Sequence, residues 1–317
     1  MTEPQIPLQN DQEAPPGFRS GVVAVVGRPN VGKSTLINRI LGQKVAAVSP
    51  KPQTTRRRQL GIFTDERAQI LFVDTPGLHA PQHKLGEYMV KAAESAFFDV
   101  DVILIVLDVS EPPETADRHL ADTIARLRGN TPVVLAMNKI DMMPDVVVRT
   151  SRIDEHSALI PHAAAFQTSA TEGTDVTELV EDLIARMPEG PLYYPEDQLS
   201  EVNMRVIAAE VIREKVMINT EQEVPHSVAV EIDSYRERSD SLTYIGATIY
   251  VERDSQKGIV IGKGGDRIKK IGSDARTELG EMLGTTVYLE LQVKVLKNWR
   301  SDERQMARFG YKPSKED

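Results

Sequence analysis

The chain has 317 residues, room for about two domains, and 40% of them are hydrophobic, so two ordinary cores can form without disulfides or structural metal. Cysteine is absent, which excludes disulfide frameworks, thiolate zinc sites, iron–sulfur clusters and cysteine nucleophiles together. A net charge of −9 argues against a protein that coats nucleic acid through bulk charge.

Residues 1–19 are acidic and Pro-rich without an apolar run, and read as a disordered tail rather than a signal peptide or anchor. From Gly21 onward, short apolar strands alternate with helix-length amphipathic stretches. The strands are Val22–Val26, Ile70–Val73, Val102–Leu107, Val133–Met137 and a shorter one at Phe166–Thr168; the helices cover Ser34–Leu41, Lys84–Phe97, Thr115–Arg128 and Asp175–Met187. Continuous Val/Ile/Leu runs mark strands buried on both faces, and the alternation predicts a parallel sheet wrapped by helices. Val102–Leu107, among the longest of these runs, is far too short to cross a bilayer, so a soluble, cytoplasmic protein is expected.

Three prolines and a glycine between Met187 and Ser200 mark a linker over residues 188–200. Beyond it the order changes to a helix near Val202–Val216, then alternating strands Val224–Arg236 and Leu242–Arg253. A short apolar strand through Ile259–Ile261 ends in a Gly-rich turn, Gly262–Gly265, followed by a helix over Asp266–Leu283 and a last strand, Thr286–Lys297. The expected architecture is an α/β domain over residues 20–187 and a smaller α+β domain over residues 201–313.

Gly27-Arg28-Pro29-Asn30-Val31-Gly32-Lys33-Ser34-Thr35 satisfies the phosphate-loop pattern between a buried strand and a helix. Glycines let successive N–H groups turn toward phosphate oxygens, Lys33 brings charge to the β- and γ-phosphates, and the Ser34 hydroxyl suits Mg²⁺. In an open α/β sheet ligands sit beyond the carboxyl ends of the strands. Asp74-Thr75-Pro76-Gly77, Asn138-Lys139-Ile140-Asp141 and Thr168-Ser169-Ala170 each follow such a strand. Asp74 is suited to Mg²⁺ and the Gly77 N–H to the γ-phosphate. Asp141 offers two oxygens to the ring N–H and amine of guanine, a donor pair adenine lacks, which selects GTP over ATP. Asn138 and Lys139 brace the base from its other side. Without a nucleotide, Asp141 would instead be a helix N-cap ahead of Val146.

These motifs resemble the translation-factor-related bacterial GTPases, and Pro52–Arg58 (PQTTRRR) resembles their switch I. Thr54 and Thr55 are then the candidates for closing over Mg²⁺, with Thr55 favoured by that likeness; otherwise they sit in an exposed polar loop. Asn30 resembles a residue that in some relatives coordinates potassium. Many small GTPases place a glutamine after D-x-x-G to orient the attacking water, whereas this chain has Leu78, so slow unassisted hydrolysis is expected.

In the second domain, Gly262-Lys263-Gly264-Gly265 forms a G-x-x-G turn, with Arg267, Lys269 and Lys270 just beyond it. In KH modules such a loop clamps about four nucleotides. Lys294, Lys297, Arg300, Arg304 and Arg308, interleaved with Trp299 and Phe309, fit either a second nucleic-acid strip or an amphipathic helix packing its aromatics inward. The GTPase motifs, the linker, VPHSVAVEI at Val224–Ile232 and IVIGKGG together resemble the Era family, Ras-like bacterial GTPases with a C-terminal KH domain. That resemblance implies a P-loop GTPase fold followed by a type II KH fold. It also implies binding near the 3′ end of small-subunit ribosomal RNA during ribosome assembly, peripheral contact with the inner membrane, and action as a monomer. The alternative reading is an RNA-binding assembly module in which guanine nucleotide is mainly a structural ligand.

Overall fold

The computed structural model describes residues 14–43, 59–74, 84–85, 99–143, 145–195, 204–221, 224–239 and 241–311. The first domain runs β1 (Arg19–Val26), α1 (Lys33–Leu41), β2 (Gln59–Thr64), β3 (Ala68–Asp74), β4 (Val102–Asp108), α2 (Thr115–Leu127), β5 (Val133–Asn138), α3 (Val146–Ser157), β6 (Ala164–Thr168) and α4 (Val176–Arg186). Among the described residues its sheet has six strands in the order β2-β3-β1-β4-β5-β6, parallel except for β2. β4 is buried along its whole length because both faces are covered. Val102, Leu104 and Val106 pack with Leu36 and Ile37 of α1 and Leu179 and Leu183 of α4. Ile103, Ile105 and Leu107 face Leu120 and Ile124 of α2. Each such side chain contributes about 1.5–3 kcal/mol by leaving water.

One expectation at the domain's margin needs correction. Phe18 is buried and Arg19 already belongs to β1, so the disordered tail does not extend to residue 19; residues 1–13 lie outside the described residues. The first half of the linker packs on the first domain. Tyr194 is buried against Val22, Ile62 and Leu71, and the Gly190 N–H donates to the Phe18 carbonyl at 3.0 Å. Gln69, fully buried in β3, clamps this segment: its Oε1 accepts from the N–H groups of Tyr193 (2.8 Å) and Tyr194 (2.9 Å), and its Nε2 donates to the Tyr194 carbonyl (3.0 Å). Gln69→Leu leaves three backbone groups without their partner, two of them buried. Limited trypsin and chymotrypsin digestion of that variant is expected to cut near residues 188–195 at least several-fold faster than in the parent, with nucleotide affinity retained; equal cleavage rates would remove the clamp.

The second domain runs α5 (Met204–Asn219), a single helical turn at Val224–Ser227, β7 (Ala229–Ser239), β8 (Leu242–Val251), α6 (Asp254–Ile261), α7 (Asp266–Leu283), β9 (Thr286–Val295) and α8 (Glu303–Arg308). β7 pairs antiparallel with β8, and β8 pairs parallel with β9. Ile245, Ala247, Ile249 and Val251 carry one sheet face into a core with Val211, Ile212, Ile271, Ala275 and Leu279 of α5 and α7. The apolar run Ile259–Ile261 is the end of a helix, not the expected strand, and Val224–Ser227 is a helical turn rather than the start of one. Gln256 decides the first case. Its side-chain oxygen accepts from the backbone N–H groups of Glu252 (2.9 Å) and Arg253 (3.0 Å), satisfying donors at the start of α6.

The C-terminal segment resolves the other open alternative in favour of packing. Trp299 is fully buried and donates its indole N–H to the Ser227 carbonyl at 2.8 Å, with Phe309 edge-on to it at 5.2 Å. Arg300 pairs with Glu252 and Arg308 with Glu231, so these cations serve the fold. Leu85 of the first domain is buried in the same aromatic cluster, and Lys84 beside it pairs with Glu303 at 2.6 Å.

Candidate guanine-nucleotide site and G-x-x-G loop

Register places the sequence motifs together. Val25 of β1 is level with Asp74, the last residue of β3; Asp108 ends β4 level with Asn138 at the end of β5, which is level with Thr168 at the end of β6. The polar tips of β3, β4, β5 and β6 therefore share one edge with the end of β1, the crevice where such sheets bind ligands.

Lys33, the first residue of α1, is buried and donates to the carbonyls of Gly27 (2.9 Å) and Arg28 (3.0 Å), so its ammonium spans the loop mouth. Burial pushes its pKa down to about 8 although the Asp74 carboxylate pulls the other way. Ser34 donates to Asp74 at 2.7 Å. Those two hard oxygen donors, held side by side at the buried end of β3, fit Mg²⁺. Gly32 has φ +103°, and a Cβ there would fall on the Asn138 side-chain nitrogen, so this position tolerates no side chain. Pro29 and Val31 complete the loop, Thr35 lies in the first turn of α1, and exposed Asn30 takes a left-handed backbone with φ +67°. The Arg28 side chain turns away from the loop to carboxylates: Glu114 at 2.9 Å, Asp117 at 3.3 Å and Asp108 at 3.9 Å.

Asn138 is the joint of the site. Buried at the tip of β5, it donates to the Val31 carbonyl at 2.8 Å and accepts from the Ala170 N–H at 3.0 Å and the Thr168 hydroxyl at 3.4 Å. One side chain thus holds the phosphate loop against the loop that follows β6. Lys139 reaches Asp108 at 2.6 Å. Burial raises the Asp108 carboxyl, but the Lys139 ammonium and Ser110 hydroxyl outweigh it and hold the pKa below the usual carboxylate value. Asp141 is exposed in a short 3₁₀ turn, Ile140–Met142, and Asp145, not Asp141, caps α3 through the N–H groups of Val147 (2.9 Å) and Val148 (3.1 Å). The capping alternative for Asp141 is thereby gone. Ser169 is buried and its hydroxyl accepts from the Glu172 N–H at 3.1 Å, while Arg39 of α1 ties down the Ala170 carbonyl at 3.1 Å. Thr54, Thr55, Thr75, Pro76, Gly77 and Leu78 lie outside the described residues. Sequence reasoning missed Asp108 and Arg39. Asp108 carries the same signal as Asp74, a lone acid that ends a run of at least four apolar residues.

In the second domain, α6 and α7 meet end to end across Gly262–Gly265. Gly264 has φ +63° with no protein atom within 4 Å of where a Cβ would stand, so the backbone is open to close approach there. Lys263, Lys269 and Lys270 are exposed; Lys270 pairs with Asp274 at 3.0 Å, and Arg267 turns back to the Ile259 carbonyl.

Two family models match the chain, one described as a 50S ribosome-binding GTPase over residues 22–139 and one as a KH domain over residues 223–300. Over 295 residues, 93% of the chain, it is 45% identical to GTPase Era of Carboxydothermus hydrogenoformans and 48% identical to that of Geobacter metallireducens, covering 98% of each relative. The chain belongs to the Era GTPase family. Two solved Era structures, each 39% identical and matched over 93% of this chain, superimpose closely. An Era complex with MgGDPNP and nucleotides 1506–1542 of 16S ribosomal RNA gives a TM-score of 0.84 and is covered to 99%. A point variant of Aquifex aeolicus Era bound to GDP·AlF4⁻ gives 0.85 and is covered in full. As an Era-family GTPase, the chain pairs a P-loop GTPase domain with a C-terminal KH domain and hydrolyses GTP.

Proposed function

We propose that this Era-family GTPase binds small-subunit ribosomal RNA near its 3′ end through the KH domain and uses GTP to time that contact during subunit assembly. The observation that carries the reading is the chain of contact between its halves. Leu85 of the first domain, eleven residues on from Asp74 in the sequence, is buried among Trp299, Phe309 and Tyr311, and its neighbour Lys84 pairs with Glu303. A γ-phosphate that reorders the Asp74–Gly77 loop acts through this connection. The first family model's description names the large subunit but covers only the GTPase half, whereas the Era complex, matched over 93% of this chain, holds a 16S fragment, which supports the small subunit.

Within this reading the phosphate loop Gly27–Thr35 holds the phosphates, Asp141 reads guanine, the Lys139 stem and the Ser169–Ala170 backbone flank the base, and Gly77 senses the γ-phosphate. Ser34, Asp74 and Thr55 hold Mg²⁺, which when bound neutralises charge on the β- and γ-phosphates. Asn30, in its left-handed loop position, is the candidate for K⁺ in place of a catalytic arginine. Turnover in potassium is then expected to exceed turnover in sodium by at least several-fold, and equal rates remove that role. Cytoplasmic action as a monomer, with at most peripheral contact at the inner membrane, is carried over from the family resemblance. Among the described residues no helix is long and apolar enough to cross a membrane.

Lys263→Asp combined with Gly264→Asp tests the RNA assignment. The first places negative charge where phosphates approach; the second adds another and strains a left-handed position. RNA affinity is expected to drop at least tenfold in GTP-loaded protein while GTP turnover without RNA changes less than twofold. Unchanged RNA binding would end the assignment of this loop, and equal parental affinity in the GTP, GDP and nucleotide-free states would leave nucleotide as a structural ligand only.

A further inference from the structure

The sheet of the KH domain uses one face fully and the other by half. At the Ala229 and Tyr250 end, the outer face is covered by the C-terminal segment through Trp299, Met306 and Phe309. At the opposite end, register sets Arg236 of β7 beside Tyr244 of β8, and Tyr244 beside Tyr288 of β9. The two rings stack with centroids 5.8 Å apart and planes 16° from parallel. Arg238 lies over Tyr244 at 4.7 Å from the ring centroid, where a register shift between Glu237 and Ser239 twists the strand. The Tyr244 hydroxyl donates to Glu290 at 2.9 Å, which fixes its ring. The stack ends on Tyr288, which is 59% exposed.

A cross-strand aromatic pair stabilises a sheet whether or not its rings are exposed, so sheet stability alone does not account for leaving Tyr288 open. The surroundings indicate what would cover it. Arg236, Arg238 and Glu290 are exposed beside the stacked rings, whereas the core of a protein interface is depleted of charge. Arg236 and Arg238 form no ion pair with any described residue, leaving two cations for a phosphate backbone. An ordered π-face flanked by such arginines is a stacking platform for an unpaired base.

We propose that the Arg238–Tyr244–Tyr288 stack is a second contact for single-stranded RNA, in which a base stacks on Tyr288 and the neighbouring arginines meet the backbone. It is separate from the G-x-x-G loop. The 18 residues of α7 run from that loop to the turn preceding Tyr288, about 27 Å at the rise of an α-helix. An RNA must therefore exceed the roughly four nucleotides that a KH loop takes before it reaches both contacts. The proposal rests on the second domain binding RNA, and the test keeps the two claims apart.

Fluorescence anisotropy of the full-length protein is measured with two labelled single-stranded RNAs from one sequence, a short one sized to the G-x-x-G loop and one several times longer. Tyr288→Ala and Tyr288→Leu are expected to weaken binding of the long RNA by about 5- to 150-fold, the range for loss of one stacked base. Tyr288→Phe keeps the π-face and is expected to keep the affinity, and all variants are expected to bind the short RNA like the parent. Full affinity of the Ala and Leu variants for the long RNA, or an equal loss on both RNAs, overturns the platform. Failure of the parent to bind either RNA instead overturns the RNA reading of the domain.

Discussion

Asp141→Asn is expected to abolish the preference for GTP and to transfer it to xanthosine triphosphate. In the proposed pocket the two Asp141 carboxylate oxygens would meet two donors on one edge of guanine, and each charge-assisted bond is worth about 1.5–3 kcal/mol. The amide replaces one acceptor with a donor that faces the guanine amine, so the loss is about 3–6 kcal/mol, or roughly 10²- to 10⁴-fold in affinity. Xanthine carries a carbonyl where guanine carries that amine, and the amide suits it. Asp141 is exposed and caps no helix, so the variant should melt with the parent. Titration of parent and variant with fluorescent GTP and xanthosine triphosphate checks this. Retained GTP preference would move the base pocket elsewhere.

The strand-end site was legible in the sequence because the central strands are apolar up to their tips. Where Val73 gives way to Asp74 and Met137 to Asn138, the change from apolar to polar marks the carboxyl edge of the sheet. Other elements carried no such contrast. β2 is an antiparallel edge strand with Gly61 at its centre and polar residues at both ends, a pattern shared with loops. α3 opens with Val146 and Val147, which are 61% and 80% exposed, so the apolar stripe that marks a surface helix is missing. α6 misleads for the opposite reason. Ile259, Val260 and Ile261 are β-branched and look like a strand, and only the Gln256 cap and the turn at Gly262 make them the end of a helix. The roles of Trp299 and Phe309 depended on a buried partner, the Ser227 carbonyl, 72 residues away. No local pattern encodes that.

Asn138→Ala tests whether the site is one assembly or a set of adjacent loops. The side chain lies in the protein interior and bonds to the phosphate loop at Val31 and to the loop after β6 at Ala170, so its removal strands a buried carbonyl and a buried N–H. Each unsatisfied group costs about 1–3 kcal/mol, giving an expected total of about 2–6 kcal/mol. For a domain of this size that is a fall of several degrees in melting temperature even without nucleotide. Guanine nucleotide affinity should fall with it, because the phosphate loop and the loop after β6 lose their common anchor while Lys33 and Asp141 remain unchanged. Asn138→Asp separates anchoring from bulk. It has nearly the same size and still accepts from Ala170, but it turns a donor into a buried anion facing the Val31 carbonyl. If anchoring is the cause, the aspartate variant is the worse of the two, by thermal melting and by nucleotide titration alike. If the alanine variant is the worse, the residue only fills space, and the two loops are held by something else.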